Sequence, residues 1–332
     1  SDLRFVRRLR KGKSAPKTAA DIVFGEELSR FVLFATPEND IIVFGDPDMV
    51  RCASTVSFIS VDGTFSRCPT THYQLLTCHA VCQNGFSFPF AFGLLPDKKA
   101  STYTTFFSSV DSISSERFGA NVFSRDGVVV SCDFERGLIR AFSGMRCSIK
   151  CCYFHQLQAI WRFLSKTGCS GRYCSEDAFR WNVRSLMVLP LFPEDKIVST
   201  FEELERHIDP ADMETCAVYR HFRTVWLCAF PPSLWCQHDH LFRTNNFAES
   251  FHASLSRRVT QHHPQFPVFA RHVVRLVRES RLELDEERFN PKQRWRMAAV
   301  RRKVNTLIEN YMNGPPLALA LPDLVKAIFN NL

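Results

Sequence analysis

Val56-Ser-Phe-Ile-Ser-Val-Asp-Gly-Thr-Phe65 is an apolar run that ends on an acid. Val56, Phe58 and Ile59 supply bulk, and the segment is rich in β-branched and aromatic residues, so a short, mostly buried strand is expected. That strand delivers Asp62 at its end, followed by Gly63. A carboxylate there is unfavourable unless it is paired or bound to a metal. The glycine permits a sharp turn or a close approach. The pattern returns at Gly127-Val-Val-Val-Ser-Cys-Asp133, a second apolar run that delivers an acid. Two strands ending on carboxylates point to one shared cation site.

The neighbouring segments supply a sheet for these strands. Upstream, Phe31-Val-Leu-Phe34 and Ile41-Ile-Val-Phe44 flank Thr36-Pro-Glu-Asn-Asp40 and predict a small hairpin. Asp46-Pro47 then opens a short helix, with Asp46 as N-cap and Pro47 in the first position. Downstream, Tyr73 to Cys82 and Gly85 to Leu95 predict two more strands joined through Asn84-Gly85, a strong hairpin signal. Tyr103, Phe106, Phe107, Val110 and Ile113 recur at helical spacing within 101–118. The Val128 strand, a short helix over 134–142, a strand over 147–154 and a helix from 155 to 164 complete the series. The order β-β-β-α-β-α-β-α, with acids on the first and fourth strands, is that of a ribonuclease-H-like α/β core with a mixed sheet. In that arrangement the first and fourth strands are neighbours.

Residues 165–243 are less regular and predict a mostly helical insertion. Within 244–265, Asn245 or Asn246 can cap a helix whose apolar stripe is Phe247, Phe251, Leu255 and Val259; Glu249 lies off that stripe. Residues 266–332 predict a basic helical region, with eleven Lys or Arg from Arg271 to Lys303, a break near Asn290-Pro291 and a last short helix after Gly314. The expected organisation is therefore a basic arm or linker (1–19), a hairpin and helix (20–55), a catalytic core (56–164), the insertion (165–243), the Glu249 helix (244–265) and the C-terminal region.

Composition narrows the class. With 45% hydrophobic and 23% charged residues among 332, the chain is globular rather than disordered, and no apolar run is long enough to span a bilayer. Thirteen cysteines, no signal peptide and scattered spacing predict reduced thiols in a cytosolic or nuclear setting. The net charge of +8 permits a polyanionic partner. Seven Lys or Arg against one Asp over residues 1–17 suit either a nucleic-acid arm and import signal or a solvated linker.

Asp62, Asp133 and Glu249 have the hard oxygen donors that phosphodiester chemistry at paired Mg2+ ions requires. Cys152 and His155 form a Cys-x-x-His pair, half of a zinc site, which Cys236, His238 and His240 can complete; the alternative, which is favoured, is a thiol and an imidazole ordering the sheet edge. Glu135 is expected at a helix N-terminus, where the dipole favours it. Arg243, Arg257 and Arg258 flank the Glu249 helix and are candidates to hold DNA phosphates. Of Trp161, Trp181, Trp226 and Trp235, any one can stack on a base, although most such residues are core.

Taken in order, Ala20-Asp-Ile-Val-Phe-Gly-Glu-Glu-Leu28, Asp62-Gly-Thr-Phe65, Tyr73-Gln-Leu-Leu-Thr77, Leu94-Leu-Pro-Asp-Lys98 with Thr102-Tyr103, Asp133-Phe-Glu135, Cys152-Tyr-Phe-His155 and Thr244-Asn-Asn-Phe-Ala-Glu-Ser-Phe-His252 resemble the transposase domain of Mutator-like elements over residues 20–260. The resemblance implies a Mg2+-dependent DDE transposase, with Mn2+ as a substitute ion. Asp62, Asp133 and Glu249 would be its catalytic metal ligands, and an all-helical insertion would precede the glutamate. It further implies double-stranded DNA as partner, nuclear location, a homo-oligomeric assembly and no membrane. The family's Pro-Asn-Lys turn is Pro96-Asp-Lys98 here, and the N-terminal zinc-finger module that family members often carry is not seen. The rival expectations are a host-domesticated DNA-binding derivative, a ribonuclease-H-like nuclease and a zinc-stabilised interaction module.

Overall fold

The computed structural model describes residues 15–238, 240–291 and 296–313, together with 324, 325 and 328. The basic arm and the last short helix expected after Gly314 fall almost wholly outside the described residues. The chain divides into two compact units, Ser1–Ser148 with Asn245–Lys292, and Ile149–Thr244 with Gln293–Leu332.

The fold is mixed α/β. Seven strands, β1 (Val32–Ala35), β2 (Ile42–Gly45), β3 (Phe58–Thr64), β4 (Gln74–Val81), β5 (Ser87–Leu95), β6 (Val129–Cys132) and β7 (Ser148–Cys151), form a sheet in the order β1-β2-β5-β4-β3-β6-β7. The pairs β1–β2, β2–β5, β5–β4 and β4–β3 are antiparallel, whereas β3 and β6 are parallel. The predicted hairpin and three-strand meander are both present. Gly85, at φ 83°, supplies the left-handed residue that the Asn84-Gly85 turn needs.

The longer helices of the first unit are α1 (Pro47–Ala53), α2 (Ala100–Phe118), α3 (Arg136–Phe142), α4 (Asn246–Arg258) and α5 (Phe266–Phe289). Asp46 caps α1 as expected, its Oδ1 accepting from the Asp48 and Met49 amides. The period-2 alternation of β3 sends Ile59, Val61 and Gly63 to one face of the sheet and Phe58, Ser60 and Asp62 to the other. α2 and α3 share an aromatic core with the loop before β6, in which Phe107 stacks near Phe142 (4.2 Å between centroids) and Phe123 (4.8 Å). The high phenylalanine content is spent here and in β2 and β5, where Phe44, Phe88, Phe90 and Phe92 are fully buried. Each such side chain contributes about 1.5–3 kcal/mol. Gly93 allows close packing: a Cβ there would lie 2.5 Å from Cε2 of Phe106. On the opposite face α4 and α5 cover the sheet through Phe251 against Phe92 (5.6 Å) and Phe269 against Phe44 (6.4 Å).

Two local expectations change. Gly63 does not turn the chain; it continues β3 opposite Leu76, and a Cβ there would lie 3.1 Å from Oε1 of Gln74. The strand expected over 147–154 ends at Cys151, because Tyr153 is drawn into a helix. Its ring is buried and its hydroxyl donates to the Met187 carbonyl at 2.9 Å.

The second unit is helical apart from most of β7. Its main helices are Tyr153–Lys166, Asp177–Val188, Glu194–Arg206, Met213–Phe222 and Arg296–Met312, with a π-helical stretch over Arg223–Ala229. Trp235 is fully buried and its indole N–H donates to the carbonyls of Trp226 (2.8 Å) and Phe230 (2.9 Å). Trp226 is also buried, which makes both core residues, whereas Trp161 is 40% exposed. The sequence break near Asn290-Pro291 coincides with the change of unit between Lys292 and Gln293. α5 therefore belongs with the sheet and the following helix with the insertion.

Candidate functional site

Asp62 and Asp133 follow paired stretches of two neighbouring strands. β3 and β6 run parallel with Phe58 opposite Val129, Ile59 opposite Val130 and Ser60 opposite Ser131. Continued two residues past its last pair, that register would set Asp62 abreast of Asp133, on the face covered by α4. Asp62 lies within β3, opposite Thr77 of β4, and Asp133 follows the last residue of β6. Asp133 Oδ1 also accepts from the Glu135 amide at 3.0 Å, which holds the start of the loop into α3.

Glu249 comes from α4, and the residues around it fix that helix against these two strands. Asn245 stands at the N-cap position, but its side chain does not cap the helix. It is fully buried, with Oδ1 accepting from the Ser131 hydroxyl (2.7 Å) and Nδ2 donating to the Val61 carbonyl (3.2 Å). Asn245 thus bonds to both β3 and β6, one residue before Asp62 and two before Asp133. One turn on, the Glu249 amide donates to the Asn245 carbonyl at 3.0 Å. Three residues later His252 reaches Asp62, with Nδ1 3.2 Å from Oδ2, and Nε2 lies 2.9 Å from the Thr77 hydroxyl. At about 100° per residue, Asn245, Glu249 and His252 fall within about 60° of arc on one helix face. The Glu249 face is therefore the face turned to Asp62 and Asp133. The three carboxylates do not close to within 4.8 Å of one another.

The surroundings of Asp62 are polar but poor in charge. Its side chain is 12% exposed, and its Oδ2 lies 3.2 Å from Nδ1 of His252. Among the described residues no Lys or Arg pairs with it, and none donates to Oδ1. His79, opposite Ser60 on β4, is fully buried edge-on to Phe251 at 5.0 Å. Burial, with a smaller contribution from His252, pushes its imidazole down to about 3, so it is neutral.

Glu135 has a different part from the one its helix position suggests. It stands at the N-cap of α3 without capping it, and its carboxylate pairs with the Lys98 ammonium and accepts from the Tyr103 hydroxyl. Tyr103 in turn accepts from Gln74 Nε2 at 2.6 Å, and burial raises its hydroxyl well above the usual tyrosine range. The Lys98 ammonium also sits 4.5 Å over the ring of Phe65. This network, next to Asp133, links the Pro96-Asp-Lys98 turn to the Asp133-Phe-Glu135 segment. Two motifs far apart in sequence are one structural feature.

The arginines differ. Arg257 and Arg258 are exposed in the last turn of α4, and Arg258 pairs with Glu279. Arg243, in the other unit, is buried, and its guanidinium donates to Asn305 Oδ1 at 2.9 Å. Cys152 stands at the N-cap of helix Tyr153–Lys166 with His155 in its first turn, and their ligand atoms lie within 4.8 Å of each other. Cys236 Sγ is 3.4 Å from the Phe192 carbonyl and His238 Nδ1 is 2.9 Å from that of Leu191. Among the described residues these do not gather with Cys152 and His155 into a four-ligand group.

Sequence reading missed Asn245 as an anchor, His252 as a partner of Asp62, and the Lys98–Glu135–Tyr103 network. The signal for His252 was its i+3 spacing from Glu249 on the polar side of α4. Nothing local pointed to Thr77, which faces Asp62 only through strand pairing.

No family model matches this chain, and no curated protein matches it in sequence.

Proposed function

We propose that this chain is the catalytic part of a DDE transposase of the Mutator-like type, built on a ribonuclease-H-like core with an all-helical insertion before the glutamate. One observation carries the reading. The parallel register of β3 and β6, continued by two residues, would set Asp62 abreast of Asp133, and the bonds of Asn245 and His252 turn the Glu249 face of α4 towards these strands. The strand order supports it, since the first and fourth strands of the predicted core are β3 and β6, and these are neighbours.

The donor set suits a hard divalent cation. It is all carboxylate oxygen, and Asp62 Oδ1 accepts no hydrogen bond among the described residues. Asp62, Asp133 and Glu249 would hold Mg2+, or Mn2+ in its place. Bound there, the ions would make a water or 3′-hydroxyl more nucleophilic and stabilise the leaving oxygen. The reaction is hydrolysis at element ends followed by attack of the freed 3′-hydroxyl on target DNA. Double-stranded DNA is then both substrate and target, and Arg257 and Arg258, exposed at the end of the Glu249 helix, are available for phosphate contacts that position without reading sequence. Nuclear location and a homo-oligomeric assembly go with this reading.

The test is strand transfer from 3′-hydroxyl DNA ends into a plasmid, in Mg2+ or Mn2+, with wild type and Asp133→Asn. Joined products are expected from wild type and a loss of about a thousandfold in the variant, equivalent to roughly 4 kcal/mol of transition-state stabilisation. Cutting without joining would favour a nuclease. DNA binding with neither activity would favour a domesticated derivative, and equal activity of the two proteins would sink the site.

A further inference from the structure

Beyond the three acids, the site contains a histidine whose two nitrogens are both engaged. His252 Nδ1 is 3.2 Å from Asp62 Oδ2, and Nε2 is 2.9 Å from Thr77 Oγ1. Its side chain is 13% exposed and that of Asp62 is 12% exposed, so water competes little for the contact. The ring also lies 6.1 Å from that of Phe251, which packs on β4 and β5.

We propose that His252 is a positioning residue that sets the orientation of the Asp62 carboxylate, with Nδ1–H donating to Oδ2 and Nε2 held by the Thr77 hydroxyl. The proposal deepens the transposase reading and rests on it for what Asp62 does. It rests on geometry alone for how Asp62 is held.

The contact to Asp62 fixes the proton on Nδ1. An ionised carboxylate only accepts, so the nitrogen facing Oδ2 must carry the proton. A neutral ring then has a bare Nε2, which needs a donor, and Thr77 Oγ–H is at the right distance. Thr77 Oγ1 also lies 3.2 Å from the Asp62 carbonyl, but one hydroxyl proton cannot serve both acceptors, and the shorter contact is to the ring. With the ring neutral, the chain Thr77 to His252 to Asp62 runs in one direction. It fixes one oxygen of Asp62 and leaves Oδ1 for a ligand. Partners behind a ligating carboxylate commonly change metal affinity by tenfold to a hundredfold when removed.

The geometry predicts an asymmetry between two amide replacements. In His252→Asn the amide nitrogen takes the place of Nδ1 and keeps the donor to Asp62. In His252→Gln the amide nitrogen takes the place of Nε2 and does not. His252→Phe keeps the ring packing and neither bond. Mn2+ affinity would be measured on the purified chain by electron paramagnetic resonance, with strand transfer under single turnover alongside and melting temperature as a control for folding. His252→Asn is expected within about threefold of wild type for Mn2+, with His252→Gln and His252→Phe weaker by about 10–100-fold. Equal affinity in all three variants, whether all intact or all impaired, would overturn the proposal.

A second readout does not depend on the metal. Imidazole 15N shifts, assigned through the His252 variants, should show an Nδ1–H tautomer. Asp62→Asn should move the Nδ1 resonance, and Thr77→Val the Nε2 resonance. An Nε2–H tautomer, or a ring indifferent to Asp62→Asn, would refute the positioning role. If the ring responds as expected but no form of the protein binds Mn2+, the metal reading of the acids fails while the hold of His252 on Asp62 stands.

Discussion

Lowering the pH should weaken this protein in a way that can be assigned to His79. In the fold its imidazole is fully buried between β4 and Phe251, and burial holds it down to about 3 from an ordinary value of 6.5. The unfolded chain takes up a proton there below about 6.5, and the folded chain does not until about 3. A base whose folded pKa is depressed contributes full stability above its unfolded pKa and loses it as pH falls towards the folded value. Between pH 7 and pH 5 the linkage amounts to about 2 kcal/mol, and it would be the same if the folded value were a unit higher. His72, His221 and His272 are also lowered and act in the same direction, so the wild-type curve alone does not isolate His79. Comparison with His79→Leu does. Urea unfolding of both proteins at pH 7 and pH 5 should show the wild type losing about 2 kcal/mol more than the variant. Parallel pH dependence to within about 0.5 kcal/mol, or a His79 resonance that titrates near 6.5 in the folded protein, would refute the reasoning.

Three further outcomes follow from packing and hydrogen bonds. Asp111 on α2 accepts from the amides of Val122 (2.7 Å), Phe123 (2.8 Å) and Ser124 (2.8 Å), so Asp111→Ala should destabilise by about 3 kcal/mol or more. Asp111→Asn, which keeps the two bonds to Oδ1, should lose about half of that, and urea midpoints would separate the two. Gly93→Ala should lower stability by about 1–3 kcal/mol because the new methyl meets Phe106, and a melting temperature equal to wild type would show that the ring has room to move. Brief maleimide labelling of the native protein, read by mass spectrometry, should modify Cys174 and Cys228, which are exposed, and spare Cys68, whose burial pushes its thiol up to about 12.

Much of the first unit was legible because its elements are locally encoded. Asn84-Gly85, Asp46-Pro47 and the phenylalanine spacing of α2 each name their structure within a few residues. What stayed hidden depends on pairing across the chain. Asp62 faces Thr77 through an antiparallel register, and Gly63 serves the Gln74 side chain rather than a turn. A single sequence shows alternation along a strand but not which strand lies beside it. Tyr153 illustrates the limit of local patterning: 147–154 has strand-like content, yet burial of one ring and its bond to Met187 start a helix there. At the candidate site the sequence supplied the acids, whereas the residues that aim them, Asn245 and His252, were visible only as polar positions on a helix.

The anchoring of Asn245 has a consequence for how the protein is made. Its bonds to Ser131 and Val61 span 114 and 184 residues. A ribosome adding about 5–20 residues per second needs on the order of ten seconds to pass from Asp133 to Glu249. Throughout that interval β3 and β6 can pair, but Ser131 and Val61 await their partner and Asp62 awaits His252. The insertion thus acts as a delay, and a nascent chain carries its two aspartates well before the glutamate exists. The candidate site, on this ordering, is completed last and all at once, when the final long-range contacts close over strands already paired.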